Sequence, residues 1–68
     1  MKVETEITEI EQVIIQGMAE GNNDSMVAAE LDMELSTMRN HKRVLMAKVG
    51  AINTANLVAI GFRKGIIK

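Results

Sequence analysis

The sequence predicts an all-α domain of four helices, and three observations carry that expectation. Its 68 residues include no proline and one aromatic residue against 47% hydrophobic residues, a composition that favours aliphatic helices. Apolar residues recur three and four apart, as on one face of a helix. Gly21, Gly50 and Gly65 each follow such a periodic segment, where a helix stop is expected. A chain of this length has room for one small domain, residues 1–68, with a core only just adequate for its size. With no cysteine to cross-link it, stability must come from helix packing and from association with another chain.

Each element has its own warrant. Residues 1–6 are polar, lack a fixed period and are expected to fray. Thr8-Glu9-Ile10-Glu11 reads as a capping box, with Thr8 accepting from the Glu11 amide and Glu11 reaching back. The first helix then buries Ile7, Ile10, Ile14 and Met18, and stops at Gly21. Asn22-Asn23-Asp24-Ser25 is a turn cluster in which Asn23 or Asp24 can cap a second helix, near Met26 to Leu31. Ala28 and Ala29 leave room there for close helix contact. Asp32 to Leu35 forms a short connection to a third helix. Asn53-Thr54 caps a fourth helix over 54–64.

The third helix, 36–50, carries the functional signal. At 100° per residue, Met38, Leu45 and Val49 share an apolar strip bordered by His41. Ser36, Arg39, Asn40, Arg43 and Ala47 fall on the opposite side. Arg and Asn side chains carry paired groups that match guanine and adenine edges in the DNA major groove. Two short helices, a tight turn and a longer helix with polar outward residues describe a helix-turn-helix within a four-helix, bundle-like domain.

The net charge of −1 conceals a polarity that fits this function. All nine acids lie in residues 1–34 with Lys2 as the sole base, whereas residues 35–68 hold the other seven bases. A basic half can face phosphates while the acidic half faces away. The alternative is that the acidic half pairs with the basic half inside the domain.

Other chemistries are excluded residue by residue. His41 is the only histidine, and without cysteine or flanking carboxylates it has no partners for a metal site. Ser25 and Ser36 have no base to activate them. The methionines are scattered at core or border positions. Glycine-rich phosphate loops are absent. The expectation is therefore no enzyme, no cofactor and no metal. The longest apolar run, Leu57 to Phe62, is far too short to cross a bilayer, and the N-terminus lacks a signal-peptide pattern. A cytoplasmic protein is expected.

From Ile7 to about Ile67 the chain resembles, without a gap, the DNA-binding domain of the LuxR/GerE-type transcription regulators. The likeness rests on Ile7-Thr8-x-x-Glu11, Ala19-x-Gly21, Val27-Ala28-x-x-Leu31, Thr37-Met38-Arg39-Asn40-His41, Lys48-Val49-Gly50, Leu57-Val58 and Gly65-Ile66-Ile67. Its shortness is most like the stand-alone members of that family. The resemblance implies that Arg39, Asn40 and Arg43 face base edges, while Thr37, His41 and Lys48 lie near phosphates or brace the recognition helix. With Ser36 and Lys42 these make up the expected DNA-binding set. Departures are specific: Glu34 stands where the family usually has a capping Ser, Glu9 replaces a common Pro, and Ser25 a frequent Lys. Glutamate caps poorly, so the third helix is expected to begin later, with Ser36 as its cap.

The resemblance also implies a homodimer through the fourth helix, and its pattern agrees. Leu57, Ile60 and Gly61 cover one side and Val58 and Phe62 another, so a second apolar surface calls for a partner. Leu57, Val58, Gly61 and Phe62 are the expected interface, with Gly61 allowing two backbones to approach. The expected function is sequence-specific, double-stranded DNA binding in transcription. The alternative is a helix-turn-helix that binds a protein partner in transcription, another regulator or an RNA polymerase subunit.

Overall fold

A computed structural model describes residues 6–67 and, among these, shows four helices and no strand: α1 Glu9–Ala19, α2 Asp24–Glu30, α3 Leu35–Val49 and α4 Thr54–Arg63. The all-α class and the helix count are those the spacing predicts. The fraying expected for 1–6 falls, for 1–5, outside the described residues. No single described helix is long and apolar enough to cross a membrane.

Three of the helices open on a side-chain cap. Thr8 Oγ1 accepts from the Glu11 amide at 3.1 Å while Glu11 Oε1 accepts from the Thr8 amide at 3.1 Å, completing the capping box. Asn23 Oδ1 accepts from Met26 N at 2.9 Å and Asn53 Oδ1 from Asn56 N at 2.7 Å. Since Asn23 and not Asp24 is the cap, α2 begins two residues before Met26.

The start of α3 corrects the expected one. Glu34 is the N-cap, at φ −67° and ψ 150°, and its side chain makes no capping bond. Its carbonyl already accepts from Met38 N at 3.0 Å, so Ser36 lies within the first turn, exposed. Leu35 packs against the core, and that burial outweighs the better cap two residues on. The turn between α2 and α3 is a Schellman motif, with Met33 N bonded to Ala28 O at 3.0 Å and Asp32 N to Ala29 O at 3.1 Å. Asp32 takes the left-handed conformation, φ 56°, where glycine is usual; its short polar side chain tolerates that region better than most.

α1 and α3 each touch all three of the other helices. Ile14, Ile15 and Met18 from α1 meet Val27 and Ala28 from α2, Met38 and Leu45 from α3, Leu57 from α4 and Ile67 from the tail. Gln12 Nε2 donates to Ile66 O at 2.7 Å and fastens the tail to α1.

This packing corrects half of the expected dimer surface. Leu57 is fully buried in the core of one chain. Gly61 is buried as well, and a Cβ there would lie 2.7 Å from Ile15 Cδ1 and 3.1 Å from Ile67 Cγ1. The missing side chain lets α4 approach α1 and the tail, so neither residue is available to a second chain.

One ion pair sets α3 against α1. Lys48 Nζ donates to both oxygens of Glu11, at 2.7 and 2.9 Å, and to Glu6 O at 3.0 Å. Burial pushes the Glu11 carboxyl up, but hydrogen bonds from Lys48 and the Thr8 amide, with the ammonium charge, outweigh it and hold the group below its ordinary value.

Two predictions follow from these termini. Glu34→Ser supplies the missing acceptor and should stabilise the fold by about 0.5–2 kcal/mol; a lower unfolding midpoint in urea would show that Glu34 makes a contact of its own. A carboxyl depressed in the folded state contributes stability above its unfolded pKa and loses it as pH falls through the folded value. Wild-type stability should therefore decline as pH drops below about 5. Urea titrations from neutral to acid pH should give a shallower decline in Glu11→Gln, and an identical slope would remove Glu11 from the acid response.

Candidate nucleic-acid interface

The candidate interface lies on α3, one side of which α2, the turn and the α1 brace leave uncovered. Met38 and Leu45 are buried beneath it, and Val49 is half-buried. Ser36, Arg39, Asn40, Arg43 and Ala47 are all exposed, as the helical spacing predicts. Leu35, Ser36, Arg39, Asn40 and Arg43 line one open groove along the first half of the helix. The small Ser36 and Ala47 keep the flanks of this face low. Arg43 Nη2 donates to Asn40 Oδ1 one turn back, so the guanidinium and the amide present as one unit. The Asn40 amino group and the remaining Arg43 donors make no other hydrogen bond among the described residues, a set of donors that suits the two acceptors of a guanine edge.

The other expected contact residues are placed less uniformly. Thr37 is exposed at the start of α3, and His41 is half-buried at the border of the apolar strip. Lys48 is committed to Glu11, which is the bracing arrangement. Lys42 is drawn back, its side chain only 16% exposed, with Nζ 2.8 Å from Asp24 Oδ1 and 3.4 Å from Thr54 Oγ1. Arg39 is 61% exposed, yet its Nε donates to Asp24 Oδ2 at 3.1 Å. The Lys42 hydrogen bond outweighs the cost of desolvating Asp24, and Arg39 adds to it, so Asp24 titrates below its ordinary value.

These contacts revise the picture of an acidic half facing away from a basic one. Glu11 and Asp24, both from the acidic half, pair with three of the four α3 cations. Among the described residues Arg43 is the α3 cation that meets no carboxylate. The alternative weighed from the charge pattern, internal pairing of the two halves, thus describes these two acids. Glu11 and Asp24 are the residues that reading α3 alone overlooks. The charge polarity was the available signal, and Asp24 was obscured by its fitness as a helix cap.

On α4, the outward side carries Val58, half-buried, and Phe62, 52% exposed. Ala55 and Ala59 are exposed at the same register. The sole aromatic ring therefore lies outside the core. Ile52, in the connection before α4, is 84% exposed, and Met26 is exposed on α2.

Comparison with known proteins gives one informative likeness. Over 53 residues, 78% of this chain, the sequence is 34% identical to the monoamine regulon transcriptional regulator of Klebsiella aerogenes. The chain spans 23% of the length of that relative. No family model matches the sequence. No solved structure matches it either.

Proposed function

We propose that this chain is a sequence-specific, double-stranded DNA-binding transcription regulator of the LuxR/GerE type, a single helix-turn-helix domain over residues 1–68 acting as a homodimer in the cytoplasm. The observation that carries this reading is the uncovered face of α3, where Ser36, Arg39, Asn40 and Arg43 share one open groove. The likeness to a transcriptional regulator supports it, since the matched stretch is most of this chain. In this reading α3 enters the major groove, with Arg39 and the Asn40–Arg43 unit at base edges. Thr37 and His41 approach the flanking phosphates. Lys48 works indirectly, fixing the tilt of α3 through Glu11. No cofactor or catalysis enters.

The homodimer rests on the outward side of α4. Val58 and Phe62, flanked by Ala55 and Ala59, offer an apolar ridge with low shoulders against which the same ridge of a second chain can pack. Two recognition helices would then meet half-sites about one DNA turn apart. A second reading draws on Ile52, whose exposure in the connection before α4 suits a protein partner in transcription, another regulator or a polymerase subunit. DNA retarded only when such a partner is present would favour it.

Selection of bound fragments from random duplex DNA tests the main reading directly. Against the selected site, Arg39→Ala and Arg43→Ala should each cost ~1–3 kcal/mol and relax the preference at particular base pairs. Unchanged preference in both variants would take these side chains out of the readout. For assembly, Val58→Glu with Phe62→Glu should sediment as folded monomers that bind the site far more weakly. A wild-type chain that sediments as a monomer at high concentration would rule out the dimer.

A further inference from the structure

Asp24 stands at the first position of α2, where Asn23 already supplies the helix cap. Its carboxylate is thereby released from capping and turned toward α3. The two oxygens go to different cations: Oδ2 accepts from Arg39 Nε at 3.1 Å and Oδ1 from Lys42 Nζ at 2.8 Å. The contact with Arg39 uses Nε alone, which leaves both terminal amino groups available for a two-point contact while limiting rotation of the guanidinium plane. Lys42 is held on its other side by Thr54 Oγ1 at the start of α4. One acid thus governs two of the cations that sequence reading assigned to DNA. Arg39 is largely exposed, so its pairing adds little to stability, and the consequence of the arrangement lies in how the cations are used.

We infer that Asp24 is a specificity-determining positioning residue: it orients Arg39 for base reading and withholds Lys42 from the phosphates of arbitrary sequence. The inference rests on the DNA-binding reading above. A phosphate approaching Lys42 must displace an existing carboxylate, so the sequence-independent part of the affinity is lowered. A base edge approaching the terminal nitrogens of Arg39 displaces nothing and meets a guanidinium already oriented. The gap between specific and non-specific binding widens on both counts.

The test compares wild type, Asp24→Asn, Arg39→Ala and the double variant on the selected site and on a random duplex across a salt series, with helicity by circular dichroism as the check on folding. Asp24→Asn should bind the random duplex ~3–10-fold more tightly at low salt, its log–log salt slope steepening by about 0.9 for each phosphate gained. Its ratio of specific to random affinity should fall about tenfold, the size of one lost oriented base contact. In the Arg39→Ala background the same change should lower that ratio by less, since only the release of Lys42 remains, while the slope still rises through Lys42. A merely structural role for Asp24 would weaken both duplexes together. If Asp24→Asn does not fold, Asp24→Ser is read in its place by the same criteria. Wild type and a folded Asp24 variant that share one ratio and one slope would overturn the inference and leave the DNA reading standing. Failure of wild type and variant alike to bind any duplex would overturn both.

Discussion

The arrangement of this small domain depends on a carboxylate at the edge of its core. Glu11 is buried, a position that a charged group tolerates only when its oxygens are satisfied. They are, by the Thr8 amide at the start of α1 and by Lys48 near the end of α3. One side chain therefore closes the first turn of α1 and fixes where the far end of α3 lies. Replacing it by an apolar residue would fill the space but leave both the Thr8 amide and the Lys48 ammonium without their partner. Aliphatic packing on α1 is largely non-directional, whereas this pair sets a register between two helices.

Above that foundation the surface of α3 is graded by charge compensation. At its far end Lys48 is neutralised by Glu11, along one flank Lys42 and Arg39 share Asp24, and between these flanks Arg43 leans only on Asn40. The open groove falls where compensation is least. A helix with four uncompensated cations would attract any polyanion; this one presents a narrow stripe of donors with defined orientation. Charge pairing within the domain and the exposed face of α3 are thus parts of one arrangement.

Much of the fold was legible in the sequence because its signals are local. The capping box at Thr8 and Glu11, the caps at Asn23 and Asn53, and the stops at Gly21 and Gly65 each depend on residues within one or two turns. The outward side of α3 followed from its period alone. What could not be read was pairing at long range. Which element receives Lys48 or Lys42 depends on how α1 and α2 lie against α3, and spacing within one helix carries no such information. The same limit misplaced Leu57 and Gly61, since two apolar sides of α4 look alike until Ile15 and Ile67 are seen against one of them. The start of α3 failed for another reason: Glu34 is a poor cap, but Leu35 gains enough by burial to begin the helix there.

The position of Phe62 has a consequence for how this molecule reports on itself. The chain has no tryptophan and no tyrosine, and its single phenyl ring stands on the outer side of α4, half in solvent. The interior is aliphatic throughout, so forming it places no phenyl ring over the core methyl groups and leaves ultraviolet absorbance and emission nearly silent. Folding and any contact made on α4 are therefore spectroscopically separated by the fold itself. Backbone signals follow the helices, while the magnetic shielding of one ring follows whatever comes to lie against α4.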